Sequence, residues 1–458
     1  MSVDQRPVDL DDPSRRDFLK AGAAGLGAAL APIHPKATDQ TSAAAPPANI
    51  LFAAPPLDRV RIGFVGVGGQ GSVHVENLLQ LDRVELRAIC DIVGERVAAA
   101  QEKVIAAGQP KPAGYSRGPR DFERMCDEQD LDLVFTATPW EWHVPVCLAA
   151  MKTGKHAVTE VPAAVTIDDC WQLVEAAERH QKHCVMMENC CYDRREMLAL
   201  HLARRGMLGE LLHAECSYLH DLRAIKFANE GEGLWRRAHA IARNGNLYPT
   251  HGLGPIAQCL SINRGNQFDY LVSMSSNSRG LRLYASEHYS EGDLRRAEQF
   301  KLGDVNVSLI RTVNGQTIYL SHNCDDPRPY NRLNLLQGTR GLIQGWPDRI
   351  HIEGRSQLDE WEPLEAYYTE FEHPLWKSEQ VQTASLGHGG MDFLEDWRLI
   401  QCLRAGAPTD QNVYDAAAWS AISELTERSV ANRSRTMDVP DFTRGRWKTT
   451  PPLEIVSS

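Results

Sequence analysis

Between Arg59 and about Glu188 the apolar positions fall in short β-branched runs separated by stretches of helical spacing. Val60-Arg61-Ile62-Gly63-Phe64-Val65 is short enough for a buried strand, and Val73, Val75, Leu78 and Leu79 behind it follow a helical pattern. The strand signal returns at 84–90, 131–137, 156–159 and 183–187. Strands alternating with helices predict an α/β domain with a parallel, doubly wound sheet and a site at the carboxyl ends of the strands.

Glycines punctuate the first strand-to-helix turn, Gly66-Val67-Gly68-Gly69-Gln70-Gly71. Gly66 allows the tight turn, Gly68 lets the backbone approach a pyrophosphate, and Gly71 lets the helix pack close to the strand. The N–H groups at the helix start would face the phosphates. The second strand ends in Asp91, where an acid bonds the adenosine ribose hydroxyls and repels a 2′-phosphate. The segment therefore reads as a Rossmann domain that binds NAD rather than NADP. Trp140-Glu141-Trp142-His143, Glu160-Val161 and Asn189 stand at other strand ends and are expected to touch the same cofactor, through loop backbone and polar tips.

After Asn189 the pattern changes. A helix over 193–205 leads through Gly206 and Gly209 into strands at 211–219, 268–274, 305–313 and 317–321, then around 334–337 and 349–353. Asn314-Gly315 is a strong hairpin signal. Strands in series with few helices predict a C-terminal α+β domain with an open, mainly antiparallel sheet. Helices over 389–405 and 413–430 should pack back on the first domain. The predicted order is a signal peptide at 1–31, an Ala/Pro linker at 32–57, the NAD domain at 58–190, a substrate domain at 191–440 and a tail at 441–458.

Composition narrows the function. The 458 residues suffice for two domains with real cores, and 24% charged with 43% apolar residues is ordinary for a globular protein. A net charge of −11 argues against nucleic acid or an anionic membrane as partner. No internal run approaches the ~20 apolar residues of a membrane span. The 11 cysteines are scattered, which is not a disulfide framework. His143, His183, Cys184, Cys190 and Cys191 lack metal-ligand spacing, so no metal is expected and the thiols read as buried. Ser14-Arg15-Arg16-Asp17-Phe18-Leu19-Lys20, followed by a weakly apolar Ala/Gly run, reads as a twin-arginine export signal. That route carries folded proteins, so a periplasmic or extracellular enzyme could be loaded with its cofactor before export.

The glycine turn, Asp91, the Glu160-Val161-Pro162 corner and Gly206-x-x-Gly209 resemble the Gfo/Idh/MocA oxidoreductases. Longer motifs narrow the likeness. Arg243-Asn244-Gly245-Asn246-Leu247-Tyr248-Pro249-Thr250-His251-Gly252, Arg328-Pro329-Tyr330, His373-Pro374-Leu375-Trp376 and Gly387-His388-Gly389-Gly390-Met391-Asp392 resemble glycoside hydrolase family 109, the NAD-dependent α-N-acetylgalactosaminidases. The resemblance runs from about residue 58 to about 440. One departure from the broader family matters. Its corner motif is Glu-Lys-Pro, whose lysine helps take the proton of the alcohol being oxidised, and here that position is Val161. The narrower family shares the loss.

The resemblance implies a terminal N-acetylgalactosamine as substrate and a cycle at its ring. C3 is oxidised, C2 loses a proton, the C1 group leaves by elimination, water adds, and C3 is reduced again. No carboxylate pair flanking the bond is needed, and NAD is regenerated in each cycle. His251 can move protons near neutral pH; a locally bonded helix-start histidine is the alternative, and the resemblance favours catalysis. Tyr192 reads either as a proton donor near the nicotinamide or as a structural tyrosine. Tyr218, Arg236, Tyr248, Pro249, Thr250, His251 and Tyr330 fall where the family holds its sugar. Two other functions stay open, a net sugar oxidoreductase that exchanges NAD and a binding protein without turnover. The exposed second sheet is a possible surface for pairing with another copy.

The leader yields a direct prediction. Arg15→Lys with Arg16→Lys should leave the protein in the cytoplasm, folded and carrying NAD. Cell fractionation that finds this variant exported normally would rule the twin-arginine reading out.

Overall fold

A computed structural model describes residues 49–378, 388–452 and 455. The predicted signal and most of the predicted linker lie outside the described residues. Six strands form the first sheet: β1 (Val60–Val65), β2 (Val84–Cys90), β3 (Ala113–Tyr115), β4 (Leu133–Thr136), β5 (His156–Thr159) and β6 (Cys184–Met186). Their order is β3-β2-β1-β4-β5-β6, and every pairing is parallel. The helices α1 (Gly69–Leu78), α2 (Gly94–Ala106), α3 (Asp121–Glu128), α4 (Trp140–Lys152) and α5 (Ile167–His180) connect them. The winding reverses between β1 and β4, so the crevice for a ligand opens above their carboxyl ends. Phe64 and Phe135 stack across that junction at 4.7 Å, both fully buried. Each such side chain contributes roughly 1.5–3 kcal/mol of burial. The short β3 carries no apolar run, which is why its sequence does not announce it.

Beyond α6 (Arg194–Arg204) the chain builds the second sheet. Its first strand is β7 (Leu211–Leu219), followed by α7 (Arg223–Lys226), α8 (Gly233–Ala242) and α9 (Thr250–Cys259). Then come β8 (Phe268–Ser275), α10 (Gly280–His288), α11 (Leu294–Ala297), β9 (Asn306–Thr312) and β10 (Thr317–Asn323). The sheet is completed by β11 (Leu335–Gly338), β12 (Gly341–Gln344), β13 (Arg349–Ile352) and a short β14 (Met437–Asp438). The order is β13-β12-β11-β7-β10-β9-β8-β14. Only the central pair, β7 with β10, is parallel. The Asn314-Gly315 turn closes the β9–β10 hairpin, with Gly315 at φ +92° donating its N–H to Thr312 O at 2.9 Å. The outer face of this sheet leaves Met274 and Leu309 exposed, at 65% and 52%.

The expectation of few helices here is corrected, because α7 to α11 lie between β7 and β9. Three of those helices run nine residues or fewer, and α9 contains Gly252, Gly254 and Pro255. Tertiary packing overrides their poor helix propensity. Glycine is required in α9: a Cβ at Gly252 would lie 2.6 Å from Ser217 N on β7, and one at Gly254 would lie 2.8 Å from Glu188 Cγ. The two glycines let α9 approach both domains at once.

After α12 (Glu365–Phe371), the helices α13 (Met391–Ala405) and α14 (Val413–Ala431) return to the first domain, against α1 and α5. Asn412 caps α14 in a reciprocal box with Asp415. Asp415 also accepts two bonds from buried Arg264, at 2.8 and 2.7 Å. Breaking one side of such a pair costs about 3–5 kcal/mol. Two predicted loose ends are not loose. Ile50 is buried and Leu57 N–H bonds Leu403 O at 3.2 Å, while Phe442 packs on Trp171 and Trp447 O accepts the Gly265 N–H at 2.7 Å. All eleven cysteines are unpaired and buried.

Gly252→Ala should therefore destabilise the protein by about 1–3 kcal/mol, the usual cost of overpacking. Gly69→Ala, with nothing within 4 Å of the added carbon, should leave the melting curve in place. A melting temperature unmoved by Gly252→Ala would show that α9 is not packed this tightly.

Candidate active site

The cofactor end is built from β1, α1 and β2. Gly66 holds φ +84°, and a Cβ there would lie 2.7 Å from Ala137 O; a Cβ at Gly71 would lie 2.0 Å from Gly66 O. Both positions therefore demand glycine. No side chain caps the first N–H groups of α1, so these donors are available to an anion. Asp91 is buried at the end of β2, where its carboxylate accepts the Val67 and Val93 N–H groups at 2.9 Å each. A carboxylate offers about four acceptor positions, which leaves room for two ribose hydroxyls. The cradle fits a dinucleotide on its own geometry.

Other predicted cofactor residues are committed in ways the sequence does not reveal. Gln70 and Asn189 both donate to one buried acid, Asp392 on α13, at 3.1 and 2.6 Å. Glu160 Oε1 meets His74 Nε2 at 2.6 Å, and His74 Nδ1 meets Asp396 at 2.9 Å. Burial opposes a charge on His74, yet Asp396 and Glu160 together hold its imidazole well above the ordinary pKa. Val161 is buried, and its N–H turns back to Glu160 Oε2 at 3.1 Å. The His143 side chain braces the loop: its ring nitrogens meet Pro162 O and Thr138 O at 2.7 and 2.8 Å, and burial holds its pKa down. The Trp142 ring packs on Phe122, and Glu141 faces His239. The His143 and Trp142 side chains are occupied within the protein, whereas Glu141 is half exposed at the start of α4.

The residues predicted to hold a sugar form an aromatic wall. Tyr218, Tyr248 and His251 stand 4.7–5.3 Å apart by ring centroids. Tyr330 and His220 join them at 5.1 Å from each other, and Trp140 lies 5.6 Å from Tyr248. Arg236 spans the rings of Trp140, Trp235 and Tyr248 at 5.2, 4.8 and 5.1 Å, with its Nε bonded to Glu232 at 2.5 Å. Burial pushes the phenols of Tyr218, Tyr248 and Tyr330 up, so they remain protonated donors. Pro249 sets the start of α9, and Thr250 is fully buried with its hydroxyl unpartnered.

His251 is held from the other domain. Its Nδ1 lies 2.7 Å from Glu188 Oε1, and Glu188 is fully buried at the end of β6. With Nδ1 turned to that carboxylate, Nε2 is the ring nitrogen that faces away from it. Glu188 stands beside Asn189 in the sequence but carries no motif of its own, and sequence reasoning passed over it. His220, bonded to the Tyr218 hydroxyl at 3.2 Å, was passed over in the same way. Glu188, Cys190 and His251 bring three potential ligand atoms within 4.8 Å. A metal there would need the Cys190 thiolate, and burial pushes that thiol well above its ordinary pKa.

Tyr192 does not join the wall. It is buried, and its hydroxyl donates to Asp410 at 3.1 Å, beside the Arg398–Asp410 ion pair. Burial raises its pKa far above the phenol norm. The proton-donor expectation is corrected: a neighbour in sequence to Asn189 is turned by a short 3-10 helix into a separate cavity.

Comparison with known proteins agrees with this division. A family profile described as "Oxidoreductase family, NAD-binding Rossmann fold" matches residues 60–188, and "Glycosyl hydrolase 109, C-terminal domain" matches residues 192–449. A twin-arginine translocation signal profile matches residues 12–32. A glycosyl hydrolase family 109 protein of Solibacter usitatus is 47% identical over 448 residues, spanning 97% of this chain and all of that one. One from Shewanella pealeana is 45% identical over 453 residues, spanning 97% of this chain and 99% of its own. Among solved structures, levoglucosan dehydrogenase with NADH has a TM-score of 0.65 at 19% identity, covering 84% of this chain and all of that one. The scyllo-inositol dehydrogenase of Lactobacillus casei with NAD(H) and scyllo-inositol has a TM-score of 0.59 at 14% identity, covering 83% and 99%. At such identities these two establish the fold alone.

If Tyr192 serves the fold, Tyr192→Phe should lower stability by about 1 kcal/mol, one net hydrogen bond, and keep turnover of the loaded enzyme near the parent's. A loss of activity on the scale of a missing acid, ~10²-fold or more, at unchanged stability would restore Tyr192 to the chemistry.

Proposed function

Because the chain belongs to glycosyl hydrolase family 109, we propose that it removes a terminal α-linked N-acetylgalactosamine from an exported or environmental glycan. The twin-arginine signal makes the periplasm or the exterior its place of work. The observation that carries the reading is the His251–Glu188 pair, set in an aromatic wall beside an NAD cradle whose corner holds Val161. NAD, when bound, supplies the hydride acceptor that makes C3 of the sugar a ketone and returns the hydride at the end.

The rest is work for this chain's residues. The aromatic rings offer faces to the sugar C–H groups, and Arg236 offers N–H donors to its hydroxyls or acetamide. The three protonated phenols donate hydrogen bonds to ring oxygens. With C3 a ketone, the C2 proton becomes acidic, and His251 Nε2 takes it. Glu188, on Nδ1, stabilises the imidazolium that forms. The C1–O bond then breaks, and the departing oxygen takes the proton that His251 carries. Water adds at C1, and His251 returns a proton to C2. The net reaction is hydrolysis. The C3 hydroxyl proton leaves to solvent when the ketone forms and returns when C3 is reduced, because Val161 stands where the broader family has its lysine.

In deuterated water the released sugar should therefore carry deuterium at C2, with no net NADH formed. His251→Ala should lose at least ~10²–10⁴ in rate, and Glu188→Gln should lose less while altering the pH profile. NAD content should stay at the parent's level in both. A product without deuterium, no rate effect from C2-deuterated substrate and a fully active His251→Ala would together sink the mechanism.

A further inference from the structure

A further histidine–carboxylate pair, this one with an exposed imidazole, stands at the crevice. His388 lies just before α13, with φ +42°, and its Nδ1 meets Asp392 Oδ2 at 2.8 Å. The Asp392 side chain is fully buried, whereas 57% of the His388 side chain is exposed. The same Asp392 oxygen accepts Gln70 Nε2 at 3.1 Å, and the other oxygen accepts Asn189 Nδ2 at 2.6 Å. One buried acid thus fixes three groups: a side chain of the glycine turn, the residue after β6 and an exposed imidazole. An imidazole that shares an acceptor oxygen with Gln70 must lie near the start of α1, where the uncapped N–H groups are.

We propose that His388 is a cationic clamp on the diphosphate of the bound dinucleotide, closing the crevice from the α13 side, with Asp392 as its positioning residue. The charge balance supports this. A diphosphate brings two negative charges, and a helix start offers only about half a positive one. The turn from Gly66 to Gly71 contains no lysine or arginine. Arg96 approaches Gly68, within 3.5 Å of where a Cβ would sit, from the β2 side of the turn. A cation on the far side would complete the grip.

The charges around His388 favour its protonated form. The Asp392 hydrogen bond holds the imidazole above its ordinary pKa, Glu160 at the end of β5 adds to this, and burial and Arg332 oppose it. His220 faces it across the crevice from the second domain and opposes its charge. His74, on α1, faces Asp392 from the other side. The clamp is present below the raised pKa and is lost as pH rises through it. The inference rests on NAD binding and is independent of the glycosidase reading.

The test uses the whole enzyme and reads the cofactor. NAD release is followed after dilution into NAD-free buffer, from neutral to alkaline pH, for the parent, His388→Ala and His388→Gln. Parent release should quicken as pH rises through the imidazole's titration. Release from His388→Ala should be about tenfold faster at neutral pH, the scale of one charge-assisted hydrogen bond, and both variants should lose the pH step. Asp392→Asn should move that step to lower pH. Release from His388→Ala at the parent's rate would overturn the proposal. Faster release with the pH step intact would also overturn it, because that is what a merely structural role produces.

Discussion

The bond between Glu188 and His251 joins the two halves of the molecule at the place where its chemistry would occur. Glu188 ends the last strand of the first sheet, and His251 opens a helix that packs on the second. A fully buried carboxylate is costly unless something answers its charge. His251 and the Cys190 N–H answer Oε1, while Oε2 has no partner among the described residues. Helix α9 can approach closely enough only because Gly252 and Gly254 leave space for β7 on one side and Glu188 on the other. The poor helix formers in α9 are therefore the condition for placing His251 against a buried acid. Local preference is sacrificed for a tertiary contact.

A second buried set of charges does the same for α13. Asp392 and Asp396 lie four residues apart on one face of the helix, and they reach Gln70, Asn189, His74 and Asn77. Glu395 sits beside them with neither oxygen partnered among the described residues, and burial holds it far above the usual carboxylate range, which favours its neutral form. The cluster thereby buries several acids without accumulating their full charge. Its effect is to tie a helix from the end of the chain to the glycine turn near its start.

What was legible in the sequence was what is local. The glycine turn, Asp91, the β9–β10 hairpin and the alternation of strands and helices depend on neighbours within a few tens of residues, and each stands where its pattern places it. The partners that give those residues their orientation were not legible. Asp392 meets Gln70 across 322 residues, and Glu188 meets His251 across 63. No periodicity encodes such a meeting. Tyr192 shows the opposite error. Its closeness in sequence to Asn189 suggested closeness to the nicotinamide, but a single 3-10 turn points its hydroxyl at Asp410. Trp142 and His143 turn their side chains into the protein for a similar reason: successive residues on a helix face different sides.

The same long-range construction bears on export. The crevice is assembled from the glycine turn, Glu160, Asn189, His251 and α13, elements spread from residue 66 to residue 405. No early part of the chain contains it. Asp392 can hold Gln70 and Asn189 at the crevice only after nearly the whole chain has folded, and NAD is a cytoplasmic compound. An enzyme that recovers its cofactor in every cycle can work where NAD is absent, provided it arrives already loaded. The twin-arginine signal matched at residues 12–32 meets that condition, because its route passes folded proteins. The eleven buried, unpaired thiols fit the same history. They are enclosed before the protein reaches an oxidising compartment, where exposed thiols would pair. Cofactor, thiols and leader thus answer to one constraint: folding has to be finished before the membrane is crossed.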